Sequence, residues 1–374
     1  MEELSMLVKL GAVLRVQHGF AFKSEHYVEN SSYRLVTLGN FSENNTFKQN
    51  DAKATYYGAD FPSEFILQEN DLIMPLTEQV VGLFGNTALI PYSKGFKYVL
   101  NQRVGKIICD EHKVDKIYLH YLLATESVKK QLEARASGTR QRNISPENIY
   151  DVTVDLPHIE MQRKIGGILK NIEDQIERNN AMVKRLQVLA LNSFDYFSKS
   201  NNSSNTVILG DVLIERDKSP LQVNNVVDGI GDIPFFTSGE TILYTDEALA
   251  SGFNIFLSTG GNAKVQSYYG DVSYSTDTWC ISAENNLQFY LYGYLKHIET
   301  QMDKLYFHGT GLKHLQKPIF LKSVINIPDN ITLEKYNTFV EPIYIQISKI
   351  EQSTIKLQRL KAKLLPLLIN QQLI

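Results

Sequence analysis

Two long stretches with the heptad spacing of coiled-coil helices constrain the fold of this chain more than any other feature. In each stretch apolar residues recur in alternating steps of three and four, the pattern of a helical seam. The first seam consists of Ile165, Leu169, Ile172, Ile176, Val183, Leu186, Ala190 and Phe197. The second consists of Tyr336, Val340, Ile343, Ile347, Ile350, Leu357 and Leu364. Each seam is too apolar for solvent, so the sequence predicts that the helices pack against apolar partners.

The two stretches are copies of one another. Each follows a short apolar strand that ends in a proline, Pro157 in the first copy and Pro328 in the second, which lies 171 positions later. The same offset separates Gly138 from Gly309. A register shared over this length favours a long-period duplication over two unrelated amphipathic helices. Equal seams in two repeats predict that the helices pair in antiparallel fashion about a pseudo-two-fold axis.

The regions between the seams repeat as well. Apolar runs at 34–38 and 71–75 predict strands that the second half echoes at 233–236 and 254–258. The run at 98–109 predicts one long strand with a bulge at Gly105, and spacing by three and four predicts helices at 117–136 and near 289–307. The polar run NNSSN at 201–205 predicts a linker.

These patterns predict an α+β fold with two related mixed α/β domains and two long helices that form an antiparallel coiled coil. The expected limits are residues 1–157 for the first globular domain, 158–200 for the central helical spacer, 201–328 for the second globular domain and 329–374 for the C-terminal helical spacer.

Composition places the chain among soluble intracellular proteins. The N-terminus is polar and lacks the features of a signal peptide, and no apolar run is long enough for a membrane span. Cys109 and Cys280 stand in apolar contexts in different halves, so we expect buried thiols in a reducing compartment. A cytoplasmic location is therefore expected, without a membrane partner.

Catalytic and cofactor motifs are missing from the sequence. The segment DIPFF at 232–236 departs from the Asp-Pro-Pro-Tyr/Phe motif of adenine methyltransferases and is interpreted as an ordinary edge strand. The segment GTG at 309–311 lacks the lysine of a phosphate-binding loop, and the histidines and two cysteines show no zinc-site spacing. We therefore predict a protein that is not an enzyme and has no metal or cofactor.

Two short motifs point to a family. The entry to the first seam reads LPHIEMQRKI, in which Leu156, Pro157, Gln162 and Ile165 match the pattern Leu-Pro-Pro-Leu-x-Glu-Gln-x-x-Ile, while His158 and Met161 depart from it. The loop before it, GTRQRNI at 138–144, is similar to Gly-Thr-x-Gln-x-x-Ile. Its second copy keeps the Gly-Thr pair but has Leu312 in place of the glutamine. With these motifs in this order, the chain resembles the specificity subunit of type I restriction–modification systems.

The resemblance implies a DNA-reading subunit without catalysis of its own. Each globular domain would read one half of a bipartite, asymmetric site in double-stranded DNA. The helices, each about 60 Å long at 1.5 Å per residue, would space the two readers and dock two methylation subunits, and the assembly would recruit restriction subunits. The seam positions assigned to this interface are Ile165, Leu169, Ile172, Ile176, Asn179, Val183, Leu186, Val340, Ile343, Ile347, Ile350 and Leu357.

Residues that read DNA directly are chiefly long hydrogen-bonding side chains on loops. The candidates in the first half are Lys23, Gln79, Arg140, Gln141 and Arg142. The candidates in the second half are Arg216, Lys218, Lys264, Lys313 and His314. The strongest candidate is the loop GTRQRN, because three long donors lie within four positions beside the start of the first seam.

Two alternatives stay open at this stage. Asn179 interrupts the first seam, and it either fixes the register of the helix pair or contacts a methylation subunit. The formal net charge of −3 provides no basic excess for DNA binding. The chain could therefore be a scaffold that presents two α/β domains on a coiled coil to protein partners without binding DNA.

Overall fold

The computed structural model describes residues 5–42, 44–79, 81–199, 205–284 and 286–372. The strands of the first half are β1 (Ser5–Lys9), β2 (Leu14–His18), β3 (Tyr27–Val28), β4 (Tyr33–Val36), β5 (Tyr56–Tyr57), β6 (Leu72–Pro75), β7 (Thr77–Glu78), β8 (Ala88–Leu89), β9 (Lys97–Leu100), β10 (Val104–Cys109), β11 (Arg142–Asn143) and β12 (Thr153–Pro157). The strands of the second half are β13 (Asn205–Ile208), β14 (Leu213–Glu215), β15 (Ile233–Phe236), β16 (Ile242–Thr245), β17 (Phe253–Ser258), β18 (Val265–Tyr269), β19 (Ser273–Tyr274), β20 (Thr278–Ala283), β21 (Phe307–His308), β22 (His314–Leu315) and β23 (Val324–Ile327).

The helices include two that are far longer than the others. The α helices are α1 (Lys116–Leu123), α2 (Glu126–Arg135), α3 (Pro146–Tyr150), α4 (Ile159–Lys199), α5 (Leu209–Val212), α6 (Gln288–His297), α7 (Glu299–Leu305), α8 (Lys317–Leu321) and α9 (Asn330–Ile369). The long helices α4 and α9 have 41 and 40 residues. Each begins just after the proline that ends the preceding apolar strand, as the sequence predicts.

The chain divides into two compact units, which are described separately. Unit 1 comprises Met1–Asp174 and Arg359–Ile374, and unit 2 comprises Gln175–Gln358. The predicted domain limits of 1–157, 158–200, 201–328 and 329–374 stay a prediction. The predicted linker at 201–205 lies, up to its last residue, outside the described residues.

In unit 1, β1 pairs antiparallel with β12, and two four-stranded sheets have the orders β2-β10-β6-β8 and β3-β5-β4-β9. The strand β6 is buried along its whole length, as expected of a continuous apolar run. Helix α1 is capped by Asp115, whose carboxylate accepts a hydrogen bond from the backbone amide of Tyr118 over 2.8 Å. Both short helices α1 and α2 contribute their apolar residues to the core formed by the first sheet.

In unit 2 the same strand order returns. Strand β13 pairs antiparallel with β23, and a four-stranded sheet has the order β14-β20-β17-β18, which corresponds to β2-β10-β6-β8. A second, smaller sheet has the order β16-β15-β19. The repeated topology confirms two related mixed α/β domains, as the register of the sequence repeat predicts.

Each unit contains an antiparallel pair of segments from α4 and α9. In unit 1, Ile165 and Leu169 lie in one apolar cluster with Leu368 and Ile369, and Glu173 pairs with Lys361 nearer the other end of these segments. In unit 2, Asn179 bonds to Thr354, and the rings of Phe197 and Tyr336 lie 5.6 Å apart. The residue numbers rise along one segment while they fall along the other. The predicted antiparallel coiled coil is confirmed within each unit.

Three local predictions are wrong. The run at 98–109 forms two strands rather than one, because β9 pairs in parallel with β4 in one sheet and β10 pairs with β2 and β6 in another. Gly105 forms no bulge, since its register with His18 and Met74 is continuous. A β carbon at this glycine would lie 2.7 Å from a methyl group of Val16, so close packing requires it. The predicted helices at 117–136 and 289–307 are each divided into two, α1 with α2 and α6 with α7.

Of the helices in the described part of the chain, none combines the length and the hydropathy needed to cross a bilayer.

Candidate nucleic-acid interface

The predicted loop of unit 1 lies on a three-stranded ribbon, called ribbon 1, that comprises residues 77–79 and 137–143. Strand β11 pairs antiparallel with β7, so that Arg142 opposes Glu78 and Asn143 opposes Thr77. Asn143 also bridges to Ser137 across the loop, and its amide oxygen accepts a hydrogen bond from the hydroxyl of Thr77 over 2.9 Å. Two backbone pairings and one side-chain bond therefore fix the base of this loop.

The turn at the tip of ribbon 1 requires a glycine. Gly138 has a φ of 109°, which L side chains rarely adopt. A β carbon at this position would lie 2.1 Å from the carbonyl oxygen of Gln141. The Gly-Thr motif therefore marks a tight turn that orients the residues following it.

Arg142 is held by protein groups on three sides. Its guanidinium lies 2.8 Å from the carboxylate of Glu78, donates a bond of 2.6 Å to the backbone oxygen of Glu133, and stands over the ring of Phe84. Only 1% of the Glu78 residue is exposed, and the carboxylate also accepts the backbone amides of Leu83 and Phe84. Arg142 thus neutralises a buried carboxylate and anchors the loop from within.

The other predicted donors of unit 1 differ in place and exposure. Gln79, Arg140 and Gln141 are all exposed and lie on ribbon 1. The antiparallel register of β7 and β11 places Gln79 opposite Gln141 one step beyond the paired residues. Lys23 is also exposed, but it lies apart from ribbon 1, before β3, with its ammonium 3.8 Å from Glu25. Ribbon 1 therefore gathers three of the five predicted side chains at one solvent-exposed tip and uses a fourth as its anchor.

Unit 2 carries an equivalent ribbon, called ribbon 2, that comprises residues 259–261 and 307–315. His308 opposes His314 in the pair β21 and β22, and His314 also bridges to Gly260. A β carbon at Gly309 would lie 2.3 Å from the carbonyl oxygen of Leu312, as at the matching turn of ribbon 1. The repeat thus preserves the turn although most side chains around it differ.

Lys313 occupies in ribbon 2 the position of Arg142 in ribbon 1. Its ammonium lies 2.9 Å from the carboxylate of Asp303, which also accepts the backbone amide of Ala263. The Ala263 amide and the Lys313 ammonium hold the pKa of Asp303 below its ordinary value. In both ribbons, therefore, the equivalent cation is paired with a carboxylate that also accepts a backbone amide of a neighbouring loop.

Two of the other four predicted donors of unit 2 bind groups of the protein itself. The ammonium of Lys264 lies 3.0 Å from Glu240 and donates to the backbone oxygen of Gly239. The guanidinium of Arg216 donates to the amide oxygen of the buried Asn254 over 3.1 Å. Lys218 and His314 are exposed, and His314 alone of these four lies on ribbon 2. The structure therefore does not bring the five predicted residues of this half into one cluster.

Leu312 was missed by the sequence reasoning, which considered only hydrogen-bonding side chains. It stands at the tip of ribbon 2, at the position of Gln141 in ribbon 1, and 63% of its surface is exposed. An apolar side chain at such a tip is suited to contact the methyl group of thymine. The sequence did contain a signal for Leu312, because this residue aligns with the glutamine of the family motif.

The predicted seam residues pack against other parts of the same chain. Ile165, Leu169, Val340 and Ile347 are buried, and the other apolar seam residues, Ile172, Ile176, Val183, Leu186, Ile343, Ile350 and Leu357, are half-buried. The outer faces of the helices instead expose a second set of large apolar side chains. This set comprises Ile168, Met182, Val188, Leu189, Tyr196, Phe339 and Leu360.

Among the described residues, no three His, Cys, Asp or Glu side chains are grouped so that they could hold a metal ion. Cys109 and Cys280 are free thiols, and burial raises the pKa of each to about 12, so both stay protonated at neutral pH.

Comparison with known proteins gives three findings. Residues 2–187 match the sequence profile of the family described as the type I restriction modification DNA specificity domain. The type I restriction enzyme MjaVIII specificity subunit of Methanocaldococcus jannaschii is 29% identical over 175 residues, which are 46% of this chain and 40% of that protein. This chain thus matches less than half the length of that relative. The crystal structure of a type I restriction–modification system S subunit from M. genitalium superposes on this chain with a TM-score of 0.67. The match covers 97% of this chain and 96% of that one at 12% identity, so the two chains share a fold.

Proposed function

We propose that this chain, whose residues 2–187 match the family described as the type I restriction modification DNA specificity domain, selects the DNA sequence on which a type I complex acts. Unit 1 reads one half-site and unit 2 reads the other. The chain itself catalyses no reaction and needs no cofactor or metal. Its partners are double-stranded DNA, two methylation subunits and restriction subunits.

The observation that carries this proposal is the pair of equivalent ribbons with different tips. Both ribbons share a glycine turn and an anchored cation. Ribbon 1 presents Arg140 and Gln141, whereas ribbon 2 presents Leu312 at the equivalent tip. A duplicated scaffold with divergent tips suits two readers of unlike half-sites, since hydrogen-bonding and apolar side chains favour different bases. An asymmetric bipartite site follows.

The chain has a net charge of −3 and supplies little of the positive charge that DNA binding needs. Arg142, Lys264 and Lys313 are paired with carboxylates and supply little free positive charge. Most of the phosphate contacts, which dominate DNA affinity, are then left to the methylation subunits. We propose that these subunits dock on the outer apolar set of α4 and α9, and that the helices fix the spacing of the half-sites.

The test is site selection by the assembled complex. The chain is co-expressed with its cognate methylation subunit, and a random duplex library is enriched for bound or methylated molecules. We expect one bipartite site with two unlike halves, and binding that weakens as salt is raised. If a complex forms but no sequence is enriched, the scaffold function without DNA binding is the correct one.

A further inference from the structure

Unit 2 contains a recess that the proposed DNA function does not use. It lies between the two sheets of the second domain, α6 and the α4 and α9 segments of the same unit. It has two adjoining parts of about 190 and 220 Å³. Four residues line both parts, namely Phe236, Ile242, Tyr268 and Glu351.

The walls of this recess are aromatic and firmly held. Phe236 stacks on Phe256 with ring centroids 4.2 Å apart, and the phenol of Tyr268 accepts a hydrogen bond of 2.8 Å from Gln352. Tyr292 and Tyr344 both line the part of about 190 Å³. Their rings pack edge to face with centroids 5.5 Å apart. Fixed aromatic rings present electron-rich faces, which attract cations.

A lone carboxylate stands among these rings. Among the described residues, the side chain of Glu351 has no hydrogen-bond donor and no ion-pair partner. Burial raises its pKa to about 7. Lys296 lines the same recess, but its ammonium is committed to Glu299 at 2.6 Å and to the backbone oxygen of Val265 at 3.2 Å. Glu351 is half-buried. A carboxylate partly withdrawn from water without a partner is costly, and a cation that enters would reduce this cost.

We propose that this recess binds an organic cation, a protonated amine or a guanidinium on a slim aliphatic chain, with its charge at Glu351 and its stem along the wall formed by Phe236 and Tyr268. A ligand of this kind gains from the carboxylate and from the ring faces at once. Volumes of about 200 Å³ admit such a group, whereas sites for drug-sized ligands usually measure about 300–1,000 Å³.

Two sources supply this chemistry, a lysine or arginine side chain of a partner protein and a free polyamine. Isothermal titration of the full-length chain with spermidine and, separately, with N-acetylargininamide distinguishes them. At pH 8 we expect saturable binding of at least one probe. Tighter binding of spermidine identifies a polyamine site, and tighter binding of the arginine derivative identifies a side-chain site. Binding of neither probe would overturn the proposal.

Two variants of α9 localise the binding. Glu351→Gln keeps the shape of the side chain and removes its charge, so we expect affinity to fall at least tenfold. Glu334→Gln removes an exposed carboxylate from the same helix, outside the recess, and we expect affinity within twofold of the parent chain. Equal affinity of Glu351→Gln and the parent would contradict the assignment. Because Glu351→Gln removes an unpaired buried charge, its melting temperature at pH 8 should be no lower than that of the parent.

The pH dependence gives a test on the unaltered protein. With a pKa of about 7, Glu351 is mostly protonated at pH 6 and mostly ionised at pH 8, so affinity should be about tenfold weaker at pH 6. The tyrosines that face it have pKa values raised by burial, further above this window, namely Tyr268, Tyr269, Tyr292 and Tyr344. Lys296 is paired with Glu299. Affinity that is equal at pH 6 and pH 8 would overturn the proposal even if the Glu351→Gln variant could not be prepared.

Discussion

The side-chain amide of Asn179 donates a hydrogen bond of 3.1 Å to the hydroxyl of Thr354 across the helix pair of unit 2. Each of these two residues is a polar interruption of its own seam, so a break in one apolar pattern lies opposite a break in the other. Thr354 is 6% exposed and also donates to the backbone oxygen of Ile350 on its own helix. A slip of either helix by one turn would place both polar groups against apolar side chains. The pair therefore favours a single register.

We expect Asn179→Ala and Thr354→Val to lower the free energy of unfolding by about 1 kcal/mol each, and the double variant to lose less than the sum, because the two residues share one hydrogen bond. Urea unfolding measured by the fluorescence of Trp279, the single tryptophan of the chain and a buried residue of unit 2, provides the values. Lys184→Ala, an exposed position on α4, is the matched control and should change stability little. Strict additivity of the two changes would show that the bond contributes nothing.

The helix pair of unit 1 depends on a charged contact instead. Lys361 of α9 bonds to the carboxylate of Glu173, 6% exposed, which also accepts the phenol of Tyr121 over 2.9 Å. Lys361→Met should lower the free energy of unfolding by about 3 kcal/mol, because it leaves a buried carboxylate without its cation. Glu173→Gln combined with Lys361→Met should restore most of that loss. Far-UV circular dichroism during urea unfolding measures both, with Lys363→Met as the exposed control on the same helix. A Lys361→Met protein as stable as the parent would contradict this role.

Periodicity and repeat register predict the architecture because both report burial along the chain. Helices α4 and α9 each begin two residues after a proline, Pro157 and Pro328 respectively, because the proline signal is local. The division of 98–109 into two strands could not be predicted from the run itself. Both halves of the run are apolar, and only the pairing of β9 with β4 and of β10 with β2 places them in different sheets.

The candidate site shows a second limit of sequence reasoning. A cluster of three long donors is equally consistent with exposed and with internally paired side chains, and Arg142 is paired because Glu78 is buried opposite it. Nothing local to Glu78 indicates that it is buried. The partner of Lys313, Asp303, lies on α7 ten residues away, and its role likewise depends on the fold. Exposure of Arg140 and Gln141 could be predicted, whereas the assignment of Arg142 required the structure.

The two arginines of ribbon 1 should therefore respond differently to replacement. Arg140→Ala should weaken DNA binding by the assembled complex about tenfold, as expected from loss of one good contact, with an unchanged melting temperature. Arg142→Ala should destabilise unit 1 by about 2–4 kcal/mol, since the Glu78 carboxylate loses its cation. Fluorescence anisotropy at fixed salt and thermal unfolding separate the two effects.

The control for the arginine variants is Lys94→Ala, which removes an exposed cation of unit 1 outside ribbon 1. It should change neither the DNA affinity nor the melting temperature appreciably. Loss of stability in Arg140→Ala, or unchanged stability in Arg142→Ala, would reverse the two roles. Loss of methylation-subunit binding in Arg140→Ala would assign ribbon 1 to the protein interface.

His120 makes the stability of unit 1 depend on pH. The imidazole is buried, its Nδ1 lies 2.7 Å from the hydroxyl of Thr87, and burial lowers its pKa to about 4. The unfolded chain, with a histidine pKa near 6.5, binds a proton between about pH 6.5 and pH 4 that the folded chain does not bind. Stability contributed by the neutral ring is therefore present above this window and lost as pH falls through it. The parent chain should lose about 2 kcal/mol between pH 7 and pH 5 from this group.

The matched variant for this effect is His120→Asn, whose amide can reproduce the bond at Nδ1 to Thr87 without a titrating ring. Other groups also titrate between pH 7 and pH 5, so the quantity to compare is the difference in slope between the two proteins. We expect the stability of His120→Asn, from urea unfolding followed by circular dichroism, to fall less steeply across this window. Parallel curves would show that His120 is protonated in the folded chain.

A fragment that ends at Lys199 should assemble as a homodimer with the help of one further substitution. It keeps the first reader and α4, whose seam lacks the α9 segment that covers it in the intact chain. A second copy of α4 can take the place of α9, because the two helices are copies offset by 171 positions. Burial of several aliphatic side chains, at about 1.5–3 kcal/mol each, drives the association.

The structure identifies what such a dimer would lack. By the repeat register Ala190 of the second copy takes the position of Lys361, so Glu173 would be buried without a cation, and Val183 takes the position of Thr354 opposite Asn179. We therefore expect the unaltered fragment to dimerise weakly, and Ala190→Lys to tighten the dimer at least tenfold by restoring the partner of Glu173. Lys184→Ala in the same fragment is the neutral control.

Sedimentation equilibrium gives the dissociation constants of these dimers. Site selection of the dimer together with the methylation subunit should yield a palindrome of one half-site, because a two-fold assembly of one reader presents the same surface twice. A fragment that stays monomeric with and without Ala190→Lys would show that α4 cannot substitute for α9, and an asymmetric selected site would show that unit 1 is not an independent reader.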